Sequence, residues 1–282
     1  MNAPRVRTTI VLAGFALVAA ACGGTEASPN APSQPVPSNP SPTAIVSTPT
    51  PTSSPSVENV SNPAPVVNGQ PYRPDLPPAE DFVAVIENPY MPFVPGTRTV
   101  FEGVSDGQRE RNVVVVTDRT KVILGVTTTV VHDQVFSANG DLAEDTFDWY
   151  AQDGFGNVWY FGEDTTEYAN GQVTSTKGSW EAGVDGAQPG VVMLAQATVG
   201  ESYHQEFLKG EAEDIGTVVA LDGSVTVPYG SLDQILVTED TTPLEPQILE
   251  HKFFAQGIGV VLERVLSGGQ EVSRLVAYTP PS

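Results

Sequence analysis

The chain has 282 residues, with 13 basic and 34 acidic side chains and a formal net charge of −21 at pH 7. A surface of this sign repels nucleic acid and anionic headgroups, which excludes nucleic-acid binding as a function. There is one cysteine, so an intrachain disulfide is excluded and stability has to come from a packed core.

The first 21 residues have the organisation of an export signal. Arg5 and Arg7 give a positive start, residues 9–18 form a short apolar run, and three alanines follow. The apolar run is too short to cross ~30 Å of hydrocarbon as a permanent helix. Residues 1–21 are therefore predicted to be a signal peptide that is removed before Cys22.

Cys22 follows Val-Ala-Ala-Ala directly, and this stretch resembles the lipobox of bacterial lipoproteins. The family usually has leucine where this chain has Ala19, a position where alanine is tolerated. The resemblance implies that the Cys22 thiol is acylated, palmitate being the expected type of lipid, and that it becomes the new N-terminus. The lipid would hold the protein on the extracytoplasmic face of a bacterial membrane. The alternative is an ordinary secretory signal followed by a reactive unmodified thiol.

Residues 22–80 are predicted to be the lipidated cysteine and a disordered tether. Residues 23–80 hold 15 of the 25 prolines, mixed with Ser, Thr, Asn and Ala and with few large apolar side chains. Such a composition has little to bury against the entropy of ordering. Proline favours an extended, semi-rigid spacer of ~3.1 Å per residue.

Residues 81–280 are predicted to form an all-β globular domain. β-branched runs such as residues 111–117 and alternating stretches such as 144–152 and 157–163 are separated by Asn-Gly and Asp-Gly turns. An antiparallel meander of about a dozen strands must curl, close or stack to protect its edges. A strongly curved sheet or open barrel is predicted, with a β-sandwich as the alternative.

Several segments of this domain resemble a group of exported bacterial domains of unknown function. The resemblance covers about residues 87–278 and is carried by the segments 88–97, 100–103, 145–153, 157–163, 178–190 and 257–261. It implies an exported lipoprotein-type β domain and brings no activity with it.

Aromatic and acidic side chains alternate along two neighbouring predicted strands and the loop after them. In the first strand Asp148 and Tyr150 share a face, and in the second Trp159 and Glu163 share a face. Aromatic rings beside carboxylates suit polar ligands with apolar faces, such as sugars. The alternative is that the aromatics fill the core. The predicted ligand-binding residues are Asp148, Tyr150, Trp159, Glu163, Trp180 and Glu181.

Metal binding is the other chemistry for which the sequence offers residues. His204 and Glu206 share a strand face, and His251 on another strand would supply a third zinc ligand; the alternative is three isolated histidines. The turns at residues 153–157 and 211–214 hold oxygen ligands without the EF-hand spacing, so calcium stays open. Apart from calcium or zinc, no cofactor is expected.

The function predicted from these features is a tethered, membrane-anchored module that binds a small molecule, a carbohydrate or a partner protein. No catalytic residue is assigned. The alternative is a metal- or carboxylate-dependent hydrolase acting on an envelope polymer. It would use the histidines above or a pair of acids such as Asp148 and Glu181.

Overall fold

The structure is a computed structural model that describes residues 66–67, 70–71, 75–105 and 107–281. The predicted signal peptide, Cys22 and most of the predicted tether lie outside the described residues. No helix within the described residues is long and apolar enough to cross a membrane.

The described part of the chain is almost entirely β-strand, with one short 3₁₀ helix at Ala79–Asp81. Valine and threonine dominate the long strands because branched side chains pack well on a pleated surface. The strands are β1 Val66–Val67, β2 Gln70–Pro71, β3 Phe82–Val83, β4 Arg98–Ser105, β5 Gln108–Ile123, β6 Val126–Ser137, β7 Leu142–Asp153, β8 Val158–Ala169, β9 Gln172–Ser175, β10 Trp180–Glu181, β11 Gln188–Met193, β12 Ser202–His204, β13 Glu206–Phe207, β14 Ile215–Val227, β15 Gly230–Thr241, β16 Leu249–Ala255, β17 Gly259–Ser267 and β18 Val272–Thr279.

The main sheet runs in the order β12-β14-β15-β16-β17-β18-β4-β5-β6-β7-β8-β11-β13, with every neighbouring pair antiparallel. Its two end strands, β12 and β13, follow each other in the chain with only Gln205 between them. Residues 202–207 therefore pair with β14 on one side and β11 on the other, and nearly close the sheet into a barrel. This confirms the predicted antiparallel curved sheet or open barrel, and a β-sandwich does not form.

The faces of the sheet are covered in different ways. Leu236, Phe254 and Leu275 are completely buried. The chain preceding β4 covers part of the outside, where the Phe82 ring makes edge contacts with Trp159 and Phe161 at centroid distances of 6.3 and 5.8 Å. Trp159 is thus buried on the outer face.

A β-bulge in β8 changes which side chains share a face. Asp148 pairs with Glu163, whereas Tyr150 pairs with Tyr160, so β8 carries an extra residue at this point. Gly162 occupies the bulge with φ +122°, and a Cβ there would collide with the carbonyl oxygen of Trp180. The expectation that Trp159 and Glu163 share a face is therefore wrong, because the bulge turns Glu163 to the side of Tyr160.

Candidate functional site

The first unusual feature is a set of carboxylic acids buried on the face that lines the barrel. Directly paired residues on neighbouring strands point to the same side, and Asp148 pairs with Glu163, Asp240 with Glu250. All members are at most 9% exposed. Within the described residues, this acidic interior includes Asp133, Glu144, Asp148, Glu163, Glu167, Glu206, Asp214, Asp240, Glu250 and Glu263.

A single buried lysine lies among these acids in the described part of the chain. Lys252 is 1% exposed, and its Nζ lies 3.0 Å from Asp240 and 3.8 Å from Glu250. Burial lowers the pKa of Lys252, but Asp240, Glu250 and Glu263 raise it above its ordinary value. Lys252 therefore stays charged and compensates only part of the surrounding negative charge.

Burial raises the pKa values of most acids in this interior, which favours their protonated form. It raises the pKa of Glu144 to about 8 and the pKa values of Asp148, Asp214 and Glu250 to about 7. The pKa of Glu206 is raised in the same direction, by burial and then by Asp214, and neither of its carboxyl oxygens has a hydrogen bond of normal geometry within the described residues. The interior consequently carries less charge than its composition suggests.

Four of the six predicted ligand-binding residues come together in this interior. Asp148 accepts a hydrogen bond from the Tyr160 hydroxyl at 2.8 Å, and the Tyr150 and Tyr160 rings stack at 4.8 Å. Trp180 meets Tyr160 edge-on at 5.3 Å and lies opposite Glu163 in the strand pairing. Tyr160 was not among the ligand-binding residues predicted from the sequence. Gly162 was the one sequence signal of the bulge that places Tyr160 in this interior.

The other two predicted residues lie elsewhere. Trp159 is on the outer face, where its indole N–H donates to Asp153 Oδ2 at 2.8 Å. Glu181 lies 2.8 Å from the Lys121 ammonium, which in turn lies 3.2 Å from the centroid of the Trp149 ring. Neither side chain contributes to the acidic interior.

The three residues considered as zinc ligands are not brought together. Glu206 belongs to the acidic interior, and His204 packs edge-on against Phe207. His251 Nε2 lies 3.5 Å from Glu239 on the opposite side of its strand from Lys252. In the described ranges, no three His, Cys, Asp or Glu side chains cluster in a metal-binding arrangement.

The second unusual feature is a cleft of about 490 Å³ beside the turn between β7 and β8. Its lining includes the buried side chains of Trp159 and Tyr203, and it includes Leu194 and Glu201 of the segment after β11. Phe155 stands at the mouth with 84% of its surface exposed. The cleft therefore combines aromatic surface with a few polar groups.

The turn that carries Phe155 is organised by one carboxylate. Asp153 Oδ1 accepts hydrogen bonds from the backbone N–H groups of Phe155 (2.9 Å) and Asn157 (3.0 Å). Its Oδ2 accepts from the Asn157 side-chain amide (2.9 Å) and from the Trp159 indole (2.8 Å). Aspartate side chains commonly fix turns by accepting from the backbone two residues on. The exposed ring is thus held on a rigid support.

Asn88 joins the two walls of the cleft. It is 3% exposed, and its side-chain amide donates to the carbonyl groups of Gly156 (2.9 Å) and Leu194 (3.2 Å). Asn157 Oδ1 adds a third connection by accepting from the backbone N–H of Ala195 at 2.8 Å. Asn88, the first residue of the segment 88–97, therefore has a structural role, since it joins the two walls of the cleft.

Comparison with known proteins gives a fold likeness only. No family model matches the chain, and no curated protein matches it. One similar solved structure is from Bacteroides fragilis and is described as an exported protein with a YmcC-like fold; it has 13% identity, covers 67% of this chain and 98% of its own, and has a TM-score of 0.41. Another, from Parabacteroides distasonis and described as a lipoprotein, has 10% identity, the same coverage and a TM-score of 0.37. No functional argument rests on these likenesses.

Proposed function

We propose that the chain is an exported lipoprotein, held to a membrane by a lipid on Cys22, whose β domain binds a carbohydrate in the cleft at Phe155. The location is supported by the export signal, the lipobox-like stretch and the proline-rich tether. At ~3.1 Å per residue, the tether would reach well over ~100 Å from the membrane. This arrangement suits capture of a ligand away from the lipid surface.

The exposed aromatic ring at the mouth of the cleft is the observation that carries the binding proposal. The Phe155 ring is 84% exposed, and the turn that carries it is held by the hydrogen bonds of Asp153, so the ring offers a flat apolar surface to a ligand. The cleft volume of about 490 Å³ falls within the ~300–1,000 Å³ typical of small-molecule sites. Gln196 and Glu201 add polar side chains to the lining beside this surface. A sugar, with an apolar ring face and a rim of hydroxyl groups, matches both properties.

Binding, rather than hydrolysis, is the activity that this cleft supports. Glycoside hydrolysis generally requires two carboxyl groups on either side of the scissile bond. Within the described residues, Glu201 is the one acid that lines the cleft, and it accepts a hydrogen bond from the backbone N–H of Thr198 at 2.7 Å. The acids of the interior are buried and do not line the cleft.

The test is a binding screen of the full chain in detergent micelles against peptidoglycan glycan fragments, cello-oligosaccharides and mannan oligosaccharides. For a sugar that binds, we expect Phe155→Ala to weaken binding at least tenfold, about 1.4 kcal/mol, with an unchanged melting temperature. Tyr229→Ala removes another exposed aromatic ring away from the cleft and is the matched control. Binding of none of these sugars, or equal binding by Phe155→Ala, would refute the proposal.

A further inference from the structure

A groove of about 1060 Å³ runs over the outer face of β18, β4, β5 and β6. Of the 13 basic residues in the sequence, two belong to the predicted signal peptide and four line this one groove. Two acids, Glu102 and Glu110, also line it in the described part of the chain. The groove is therefore locally positive in a protein of net charge −21. The four basic residues are Arg98, Arg109, Arg111 and Arg274.

The four guanidinium groups form no ion pair with an acid in the described part of the chain. Within the described residues, no carboxylate lies within 4.0 Å of any of them, although Lys121 and Lys252 each have such a partner. Two described arginines outside the groove are used differently: Arg119 and Arg264 lie over phenylalanine rings at 5.0 and 5.1 Å. The groove arginines thus keep their hydrogen-bonding capacity for a ligand.

The strand register spaces these charges along the groove. Arg274, Glu102 and Arg111 are paired across β18, β4 and β5 and form one row. Arg109 lies two residues beyond Arg111 on the same face, about 7 Å away. Arg98 pairs with Val115, and Val115 lies six residues from Arg109 along β5. The positive charge of the groove therefore extends over about 20 Å. A single small anion would engage only part of this length.

The floor of the groove is apolar and offers no sheet edge. Val104, Val113 and Val115 line it, and each floor strand is hydrogen-bonded to a neighbour on both sides. An extended peptide could therefore not add to the sheet as a strand, which is the usual way for such a chain to bind a β surface. A recessed groove also suits a polymer chain better than a flat bilayer, and the remaining acids repel an anionic membrane.

We infer that this groove binds an elongated anionic polysaccharide of the cell envelope, whose carboxylates pair with the four arginines. The guanidinium group matches a carboxylate with two parallel hydrogen bonds, and such charge-assisted bonds are strong. Successive sugar units bearing one carboxylate each would place charges along the valine floor. The choice of an envelope polymer rests on the proposed extracytoplasmic location, whereas the binding itself depends on the groove alone.

The test uses the full chain in detergent micelles and a fluorescent oligogalacturonate, with binding measured by anisotropy. We expect Arg111→Gln and Arg274→Gln each to weaken binding about tenfold, and the double variant about a hundredfold. Glu102→Gln, which removes the acid between these two arginines, should tighten binding. Lys177→Gln combined with Lys209→Gln makes the same charge change on exposed residues outside the groove, and should leave the affinity unchanged.

Competition separates the polysaccharide from other anions. Methyl-esterified oligogalacturonate, which lacks the charges, should not compete. Stronger competition by hexaglutamate, or by phosphatidylglycerol added to the micelles, would overturn the polysaccharide assignment in favour of an acidic protein or a lipid surface. No binding of oligogalacturonate, or equal loss in the lysine control, would overturn the inference entirely. Phe155→Ala should bind oligogalacturonate normally, so failure in the groove and failure in the cleft are distinguishable.

Discussion

Replacing Glu144 with glutamine should change how the stability of the domain depends on pH. Glu144 is 5% exposed on β7; its Oε1 accepts a hydrogen bond from the Thr146 hydroxyl at 3.1 Å, and its Oε2 has no partner within the described residues. Burial raises the pKa of Glu144 to about 8; the Thr146 hydrogen bond acts in the lowering direction, and the nearby Glu167 and Asp148 act in the raising direction. Glutamine has nearly the same shape as the protonated acid and cannot ionise.

The magnitude follows from proton linkage. In the unfolded chain Glu144 loses its proton near its ordinary pKa of 4.5, whereas the folded protein keeps the proton to about pH 8. Between these values the unfolded chain binds fewer protons, so the free energy of unfolding falls as pH rises, by about 1.4 kcal/mol per pH unit. The stability that protonated Glu144 provides below pH 4.5 is thus lost by pH 8, a change of about 4 kcal/mol.

The assay is urea unfolding of the full chain, followed by tryptophan fluorescence at pH 5, 6, 7 and 8. Glu144→Gln should match the wild type within about 1 kcal/mol at pH 5 and exceed it by about 4 kcal/mol at pH 8. Glu211→Gln, a change at an exposed acid, is the control and should leave the pH dependence unaltered. If the free energies of wild type and Glu144→Gln stay parallel from pH 5 to pH 8, the argument from burial is wrong.

Three further changes test the fold and the anchor. Gly162→Ala places a Cβ against the carbonyl oxygen of Trp180 at φ +122° and should lower the free energy of unfolding by about 3 kcal/mol in urea titrations, whereas Gly171→Ala, with open space around it, should lose only about 1 kcal/mol. Lys252→Met leaves the acids around it without this cation, so it should destabilise by about 3–5 kcal/mol at pH 7 and clearly less at pH 5, where Glu250, whose pKa burial raises to about 7, is protonated. Cys22→Ser should abolish incorporation of an alkynyl-palmitate label and move the chain from the detergent phase to the aqueous phase in Triton X-114 partition; continued labelling would contradict lipidation at this position.

The sheet was predictable because its signals are local. Alternation over residues 144–152 and 157–163 predicts strands, and the structure has β7 at Leu142–Asp153 and β8 at Val158–Ala169. The Asn170-Gly171 pair was predicted as a turn, and both residues take the positive φ of a tight hairpin between β8 and β9. Each of these features depends on a few neighbouring residues.

The composition of the candidate sites was only partly predictable because it depends on distant pairings. The pKa of Glu263 is raised by burial, by Glu250 and also by Asp133, although Asp133 and Glu263 lie on strands that are far apart in sequence. A one-residue bulge at Gly162 decides on which face Glu163 lies, and simple alternation assigns the wrong one. The cleft depends on Asn88, which joins a turn and a loop that the sequence does not connect.

The short segment at residues 202–207 is joined to its neighbouring strands at few positions. β12 pairs with β14 at three positions and β13 pairs with β11 at two, whereas most of the longer neighbouring strands are joined at seven or more. Transient local separation of two strands needs far less free energy than global unfolding. We therefore expect residues 202–207 to be where protons and water reach the enclosed carboxyl groups, so that the interior re-equilibrates with its surroundings in the folded protein.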